Sequence, residues 1–299
     1  MRKILITGGT VFVSRYLAEY YVAKGDDVYV INRNTRKQSK GVTLLEADRH
    51  RLGDLLRSYY FDVVIDTAYT CEDITMLLDS LGGYREYIFI SSSAVYPESS
   101  IQPFQEDGVL SENKYWGIYG VNKIKAEKAL LERNSHAYIL RPPYLYGPMN
   151  NVYREAFVFD CALTNRKFYL PGNGEMKLQF FYIRDLCRFI DVLLEKKPNQ
   201  HVFNVGNKEV VSIRDWVDIC YSIVGKTVEF INVDKKIEQR NYFSFYDYEY
   251  YLDVSRQYEL MAEVQSLEEG LKSSFEWYMS HEKEVNKKAF IKYIDNHFI

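Results

Sequence analysis

The sequence predicts an α/β protein built on a doubly wound parallel sheet, with a smaller second domain toward the C-terminus. Two observations predict this fold. Short, almost wholly apolar segments alternate along the chain with amphipathic helical segments, the pattern of a parallel sheet covered by helices on both faces. The first apolar segment also runs directly into a helix through Thr7-Gly8-Gly9-Thr10, a tight strand-to-helix turn typical of Rossmann-like folds.

Seven segments have the length and composition of buried strands. In chain order they are KILIT, DVYVIN, VTLLEA, DVVIDTAY, EYIFISS, AYILRP and HVFNVG. Apolar residues at helical spacing predict helices over Arg15–Lys24, which Gly25 ends, over Gly120–Asn134 and over Arg184–Lys196.

The turn after the first strand is a modified form of a dinucleotide-binding turn, in which three glycines each have a function. Gly8 can form the tight turn, and Ser14 is small enough to replace the glycine at which helix and strand pack closely. Val11, however, stands where a glycine would let the backbone approach a pyrophosphate. The free N–H groups of the helix N-terminus still favour an anion, so a modified cofactor site and an ordinary strand-to-helix turn both stay open.

The end of the second predicted strand bears on the choice of cofactor. Asn32 lies 24 residues after Gly8, where an acidic residue would bind the ribose 2′-hydroxyl of NAD. Arg33 follows it, and an arginine suits the 2′-phosphate of NADP. We therefore expect NADP or NAD as the cofactor, with NADP slightly preferred. The alternative is that these are solvated loop residues with no cofactor role.

The later chain differs from the strand–helix repeats, because turn-rich segments and a helix near VSIRDWVDICYSIVG follow Gly147-Pro148. We predict a dinucleotide-binding domain of residues 1–147 and 178–206. Residues 148–177 and 207–299 are predicted to form a smaller, substrate-binding domain.

The bulk composition is that of a globular protein, with 299 residues of which 47% are hydrophobic. The net charge of −3 disfavours a general nucleic-acid or anionic-membrane binder, although a local basic patch stays open. Four widely spaced cysteines and five scattered histidines predict neither a disulfide framework nor a metal centre. The sequence shows no signal peptide and no apolar run approaching ~20 residues, so we expect a reduced, cytoplasmic protein with no membrane partner.

A serine, a tyrosine and a lysine have the pattern of a site for alcohol–ketone chemistry. The strand segment IFISSS ends in three serines, at the sheet edge where open α/β folds bind ligands. Tyr119 and Lys123 lie four residues apart on a predicted helix and therefore on one face. An ammonium beside a phenol lowers the pKa of the phenol towards working pH, as a general base requires. A second copy of this spacing, Tyr20 to Lys24, lies in the first helix and is expected to be structural.

These motifs resemble the extended short-chain dehydrogenases/reductases of the NAD-dependent epimerase/dehydratase type, which act on nucleotide sugars. The resemblance extends over essentially the whole chain and rests on TGGT.F, ISSSAVY, YGVNK...AE, LRPPYLYGP, FNVG and SLEEGLKSSFEWY, in that order. It implies that Tyr119 is the base, that Lys123 also binds the nicotinamide ribose, and that Ser92 orients the substrate oxygen.

The resemblance also implies a set of cofactor contacts, in which Asp48 would contact the adenine and Pro142 would lie beside the nicotinamide. The implied contacts are Thr7, Gly8, Gly9, Thr10, Val11, Phe12, Val13, Asn32, Arg33, Asp48, Thr67, Ala68, Tyr119, Lys123 and Pro142.

Several positions depart from the family pattern. Sugar-nucleotide dehydratases carry an Asp-Glu pair where this chain has Ser93 and Ala94, which disfavours a 4,6-dehydratase. Tyr144 and Leu178 replace an Asn and an Arg that help to bind the substrate diphosphate in the family. We expect substrate contacts from Ser93, Tyr144, Lys177 and Arg240. Either the substrate is not a standard nucleotide sugar, or Arg154, Lys177 or Arg240 replaces the lost diphosphate partners.

The tract NYFSFYDYEYY, Asn241 to Tyr251, holds seven aromatic residues in eleven. It could form a stacking wall for a sugar or base, or it could pack in the core between the substrate-facing part and the sheet. Both interpretations stay open.

The sequence therefore predicts an NAD(P)-dependent epimerase or oxidoreductase that acts on a hydroxyl of a small-molecule substrate, a sugar or nucleotide sugar. Family members commonly pair through the helices that carry the Tyr-x-x-x-Lys motif, so a homodimer is expected. The alternative is a non-catalytic nucleotide-sensing or RNA-binding module on the same fold, which the altered turn would suit. The combination of Ser92, Tyr119 and Lys123 favours the enzyme.

Overall fold

A computed structural model describes residues 1–234 and 236–298. Its strands are β1 (Lys3–Thr7), β2 (Asp27–Asn32), β3 (Thr43–Glu46), β4 (Tyr60–Asp66), β5 (Gly83–Ile90), β6 (Tyr138–Arg141), β7 (Tyr144–Tyr146), β8 (Phe168–Pro171), β9 (Lys177–Leu178), β10 (Phe180–Tyr182), β11 (Val202–Asn204), β12 (Val211–Ser212) and β13 (Phe230–Val233). Its α-helices are α1 (Phe12–Ala23), α2 (Cys71–Ser80), α3 (Ile118–Arg133), α4 (Glu155–Leu163), α5 (Ile183–Lys196), α6 (Ile213–Ile223), α7 (Ser255–Leu260), α8 (Leu267–His281) and α9 (Phe290–His297).

The main sheet has seven parallel strands in the order β11-β6-β5-β4-β1-β2-β3. This is the doubly wound arrangement, with the strand order reversing beside β1. The central strand β1 is apolar on both faces: Ile4 and Ile6 belong to one buried cluster and Leu5 to the other. The predicted α/β fold with a Rossmann-like parallel sheet is therefore confirmed.

Helices cover both faces of this sheet, as continuous apolar strands require. Leu17 of α1 and Ile190 of α5 pack into one cluster, whereas Leu77 of α2 and Leu130 of α3 pack into the other. The first helix ends just before Gly25, whose φ of +82° is the left-handed conformation that favours glycine after a helix.

The predicted strands β4 and β5 end earlier than the sequence suggested. Strand β4 ends at Asp66 and β5 at Ile90, so Thr67–Tyr69 and Ser91–Ser92 lie in the loops that follow. Helix α2 was not predicted. Its N-terminus is fixed by a reciprocal capping box in which Thr70 accepts from the backbone N–H of Asp73 and the Asp73 carboxylate accepts from that of Thr70.

The later chain forms three two-stranded sheets, β7 with β10, β9 with β12, and β8 with β13. Its buried side chains are continuous with those of one face of the main sheet, because a single apolar cluster includes Ile4, Tyr144, Trp216 and Ile294. The division into a dinucleotide-binding and a substrate-binding domain stays a prediction. Among the described residues, the helices are too short or too polar to cross a membrane.

Candidate functional site

The predicted serine lies in a short turn at the carboxyl edge of the sheet. Ser92 precedes a single 3₁₀ turn, and its Oγ accepts a hydrogen bond of 3.2 Å from the backbone N–H of Ala94. The N–H of Ser93 donates to the carbonyl of Pro142 at 2.9 Å, which ties this turn to the end of β6. The Ser92 hydroxyl is therefore held by the backbone of its own turn, and that turn is held in place by the end of β6.

Helix α3 approaches this turn closely because of one glycine. A Cβ on Gly120 would lie 2.3 Å from the carbonyl oxygen of Ala94, a distance that no side chain could accept. The helix begins at Ile118, just after Gly117, which has a φ of +49°. The close approach brings the preceding residue of the helix, Tyr119, beside the turn that contains Ser92.

Ser92, Tyr119 and Lys123 line one cavity of about 500 Å³. Its wall also includes Thr67 and Pro142, two of the predicted cofactor contacts. The structure thus brings the three proposed catalytic side chains together at the carboxyl ends of the strands, where ligands bind in open α/β sheets.

The Lys123 ammonium is bound by the backbone and does not pair with the phenol of Tyr119. Its Nζ donates to the carbonyl oxygens of Ala68 at 2.6 Å and Ile90 at 2.8 Å. Burial of the amine lowers the pKa of Lys123 to about 8. Two of its three N–H donors are used, which leaves one available toward the cavity.

The protonation of Tyr119 differs from the expectation. Burial of the phenol raises the pKa of Tyr119 to about 12, although the nearby Ser92 hydroxyl and the Arg154 charge act in the opposite direction. The expected lowering by Lys123 is wrong for this structure, because the ammonium is directed at two carbonyl groups. The phenol is therefore protonated at neutral pH in this state.

The strand-to-helix turn has the backbone shape of a nucleotide cradle. Gly8 and Gly9 have φ values of +91° and +90°, and a Cβ on Gly9 would lie 2.5 Å from the side chain of Val30. Val11 is the N-cap of α1 and makes no side-chain capping bond, and the first turn contains no acidic residue. The positive end of the α1 dipole therefore has no carboxylate from its own first turn, as an anion site requires.

Val11 borders the space beside this turn without closing it. Thr10, Val11 and Phe12 line a groove of about 900 Å³, and Phe12 and Val13 also line the catalytic cavity. Phe12 thus lies between the two spaces, with an uncommon φ of +30°. These observations fit a dinucleotide extended along the carboxyl edge of the sheet.

Asn32 stabilises the cradle itself. Its Nδ2 donates to the carbonyl of Gly8 at 2.6 Å, and its Oδ1 accepts from the N–H of Asn34 at 2.9 Å. Thr7 also stabilises the cradle. Its hydroxyl donates to the buried Asp66 carboxylate and accepts from the N–H of Thr67. Several residues implied as cofactor contacts therefore have a structural role in the turn.

Some predicted residues lie outside the catalytic cavity. Lys177 lies at the edge of β9 and does not line it. Arg33 and Asp48 are exposed, and the Asp48 carboxylate accepts from the backbone N–H of His50. Ser93, in contrast, lines the cavity; it is buried, and its hydroxyl donates to the phenol of Tyr250 at 3.1 Å.

Sequence reasoning missed three aromatic residues of the cavity. Tyr69 follows β4, and its ring centre lies 5.2 Å from that of Tyr119. Tyr115 and Trp116 precede α3 and line the same wall. Tyr69 could have been found from the sequence, since it ends the predicted strand segment DVVIDTAY at the ligand-binding edge of the sheet. No sequence pattern pointed to Tyr115 or Trp116.

The aromatic tract divides between the core and the cavity. Phe243 and Phe245 are buried and pack on Trp216. Tyr246 and Tyr250 line the cavity that contains Ser92. The core interpretation is therefore correct for Phe243 and Phe245, whereas the stacking wall stays a prediction for Tyr246 and Tyr250.

Part of the chain matches the sequence model of a protein family. Residues 72–206, just under half of the chain, match the NAD dependent epimerase/dehydratase family. The matched residues include Ser92, Tyr119 and Lys123 and begin after the glycine turn.

Two proteins whose sequences are similar to this chain are of different kinds. It is 27% identical over 281 residues to the chloroplast stem-loop binding protein of 41 kDa b of Arabidopsis thaliana, covering 85% of this chain and 73% of that protein. It is 25% identical over 178 residues to a probable GDP-L-fucose synthase 1 of Oryza sativa subsp. japonica, covering 54% of this chain. The chain spans about half, 51%, of that second relative's length.

The fold of the chain matches that of a solved epimerase. The UDP-glucuronic acid 4-epimerase of Bacillus cereus, crystallised with UDP-glucuronic acid and NAD, superposes with a TM-score of 0.73 at 21% identity, covering 93% of this chain and 99% of that one. Two features of the cavity bear on its chemistry. Its lining in the described part of the chain includes no Asp or Glu, and residues 1–234 and 236–298 contain no cluster of three or more His, Cys, Asp and Glu that could hold a metal ion.

Proposed function

We propose that this chain is an NAD(P)-dependent epimerase or oxidoreductase that acts on a hydroxyl group of a sugar or nucleotide sugar. The observation that supports it most is the convergence of Ser92, Tyr119 and Lys123 on one cavity beside the glycine cradle. The match of residues 72–206 to the NAD dependent epimerase/dehydratase family supports the same chemistry, as does a similar structure that was solved with NAD and a UDP-sugar.

In this proposal Tyr119 exchanges a proton with the reacting hydroxyl of the substrate. Ser92 donates a hydrogen bond to the same oxygen, since its own Oγ accepts from Ala94 and its O–H is free to point into the cavity. Lys123 has one N–H donor left for a ribose, because its other two donate to the carbonyl oxygens of Ala68 and Ile90. When bound, the nicotinamide would supply hydride acceptance or donation.

The cavity favours redox chemistry at one carbon over loss of water. A 4,6-dehydration needs an additional acid and base, and the described lining of the cavity includes no carboxylate. Oxidation to a ketone needs only one proton acceptor, the role proposed for Tyr119. Return of hydride to the opposite face of the ketone would complete an epimerisation, and return to an exogenous ketone would be a net reduction.

The cofactor preference is proposed as NADP over NAD on the charge of one loop. Arg33, Arg36, Lys37 and Lys40 follow β2 and are exposed, and the described structure gives them no ion pair within 4 Å. A cluster of unpaired cations at this position suits a 2′-phosphate. The similar structures that name a cofactor name NAD, so both cofactors belong in the assay.

The experiment is an assay of the purified protein with NAD and NADP against UDP-glucose, UDP-glucuronate and GDP-sugars, with products separated by chromatography. Tyr119→Phe should lower kcat/KM by at least about 100-fold, the contribution of general acid–base catalysis, and should leave cofactor binding intact. Tyr20→Phe is the matched control, because Tyr20 has the same spacing to Lys24 but bonds to Asp191 at 2.8 Å, away from the cavity. If Tyr119→Phe keeps activity within a few-fold of the wild type, the proposed base is wrong.

A second candidate function is binding of structured RNA without catalysis. It is favoured by the similarity to a chloroplast stem-loop binding protein and by the exposed cations after β2. A gel-shift titration with a stem-loop RNA at 50 and 200 mM salt tests it, since phosphate contacts weaken steeply with salt. Salt-sensitive binding that Arg36→Gln weakens would support this function, and equal binding to any polyanion would not.

A further inference from the structure

Arg154 places a second positive charge on the wall of the catalytic cavity. It is the N-cap of α4, lines the cavity and is half-buried. One of its Nη atoms donates to the carbonyl of Leu145 at 3.3 Å, and the centre of its guanidinium lies 5.0 Å from the ring centre of Tyr144. Since a guanidinium has five N–H donors, most of its hydrogen-bonding capacity is unused by these contacts.

A second arginine lies close to the first and is also unpaired by carboxylates. The guanidinium of Arg240 lies 4.7 Å from the ring centre of Tyr246, a cavity residue, and donates to the carbonyl oxygens of Phe243 and Ser244. Burial lowers the pKa of Arg240, and the charge of Arg154 adds to that lowering. Two like charges this close repel each other, and an anion between them would relieve the repulsion.

Neither arginine has an acidic partner in the part of the chain that the structure describes. No Asp or Glu oxygen there lies within 4 Å of either guanidinium, in contrast to the buried pair of Arg141 with Glu127 at 2.6 Å. Glu155, although adjacent to Arg154 in sequence, is directed at Asn150 at 2.9 Å. Half-buried cations without counter-charges are uncommon unless a ligand supplies one.

A buried phenol on the same wall also lacks a partner. Tyr144 is only 5% exposed and lines the cavity, and its hydroxyl makes no well-formed hydrogen bond to a described residue, although the phenol of Tyr250 lies close to it. Buried hydroxyls almost always find a partner. The phenol of Tyr144 is therefore available to donate to an oxygen of the same ligand.

We propose that Arg154, assisted by Arg240 and the hydroxyl of Tyr144, forms a subsite for an oxyanion of the substrate, a phosphate or a carboxylate, on the wall that faces Tyr119. The planar fork of Arg154 matches either group in a bidentate arrangement. The inference rests on the proposed function, because it assigns a charged substrate to the same cavity. It assigns the replacement of the partners lost at Tyr144 and Leu178 to Arg154, which lines the cavity, and to Arg240, which packs on the cavity residue Tyr246, rather than to Lys177, which lies outside the cavity.

The test is calorimetric titration of UDP-glucuronate and UDP-glucose into the wild type, Arg154→Gln and Arg154→Lys. The matched control is Arg85→Gln, at the opposite, amino-terminal edge of β5 and exposed. We expect Arg154→Gln to weaken binding roughly 10- to 100-fold, the range of a lost charge-assisted hydrogen-bond pair. Arg154→Lys, which keeps the charge but not the fork, should lose less, and Arg85→Gln should lose nothing.

The two ligands distinguish the sources of the anion. A loss confined to UDP-glucuronate assigns the subsite to the sugar carboxylate, and an equal loss for both ligands assigns it to the diphosphate. Unchanged affinity in Arg154→Gln and Arg154→Lys overturns the subsite, as does a wild type that binds NADH but neither sugar nucleotide. If Arg154→Gln weakens sugar-nucleotide binding although NADH does not bind, the subsite stands and the proposed oxidoreductase is wrong.

Discussion

Burial, more than mutual contact, sets the protonation of Tyr119 and Lys123. It raises the pKa of the phenol to about 12 and lowers that of the amine to about 8. At neutral pH both groups are therefore protonated, and the phenol can act as a base only when its proton is drawn off during the reaction. The positive charge of Arg154 on the cavity wall favours that loss.

The shifted pKa of Lys123 predicts how the stability of the folded protein depends on pH. Its pKa is about 8 in the folded protein and 10.5 when unperturbed, so between these values the unfolded chain binds a proton that the folded chain does not. Raising the pH through this window therefore stabilises the folded state, by about 1.4 kcal/mol per pH unit. Below about pH 8 the amine is protonated in both states, so this group no longer makes stability depend on pH.

Urea unfolding of the wild type and Lys123→Met at pH 8 and pH 10 measures this effect, because other titrating groups cancel in the difference. The unfolding free energy of the wild type should rise relative to that of Lys123→Met. A difference between the two proteins that does not change with pH would show that Lys123 is not a desolvated ammonium.

Sequence reasoning could identify Ser92, Tyr119 and Lys123 because their order and spacing follow from a strand end and one helix face. It could not identify the contacts of their side chains. The bonds from Lys123 to Ala68 and Ile90 depend on how far two strands extend, and β4 and β5 end two or more residues earlier than their apolar segments suggested.

At the scale of elements, the position of α3 depends on Gly120. Glycine is normally unfavourable inside a helix by about 1 kcal/mol relative to alanine. Here its missing side chain admits the carbonyl oxygen of Ala94, from the turn that follows Ser92. Local helix propensity and the geometry of the site therefore favour opposite residues at this position.

Gly120→Ala should reverse the usual effect of such a substitution. The added Cβ would lie 2.3 Å from the Ala94 carbonyl, so α3 must shift and stability should fall by about 1 to 3 kcal/mol. Displacement of Tyr119 from Ser92 should lower kcat/KM by about 100-fold. Lys125→Ala, an exposed position on the same helix, is the control and should change neither the denaturant midpoint nor the rate. A more stable and fully active Gly120→Ala would contradict this account of the helix.

The turn between β1 and α1 shows why its state could not be decided from sequence. Val11 has an extended backbone, as any residue may, and borders the groove with part of its side chain. The turn thus retains glycine at two positions with positive φ, Gly8 and Gly9, and lacks only a glycine at position 11. Whether a β-branched residue closed this space depended on the path of the loop after β2, which no local pattern contains.

At the scale of the whole molecule, the seven-stranded sheet was predictable because each strand is a short apolar segment between helices. The small sheets of the later chain were not, since β7, β9, β10 and β12 have two or three residues each and pair across long sequence separations. Tyr246, Tyr250 and Arg154, which line the cavity, come from this later part of the chain. The two-domain division, the homodimer and the cytoplasmic location stay predictions.

The central claim is that the modified turn holds a pyridine dinucleotide beside Ser92, Tyr119 and Lys123. Calorimetric titration of the freshly purified protein with NADH and with NADPH tests it most directly. We predict saturable binding of one molecule per chain, tighter for NADPH; tighter binding of NADH would reverse only the cofactor preference. If the folded protein, free of retained nucleotide, binds neither NADH nor NADPH, the result contradicts the enzymatic account.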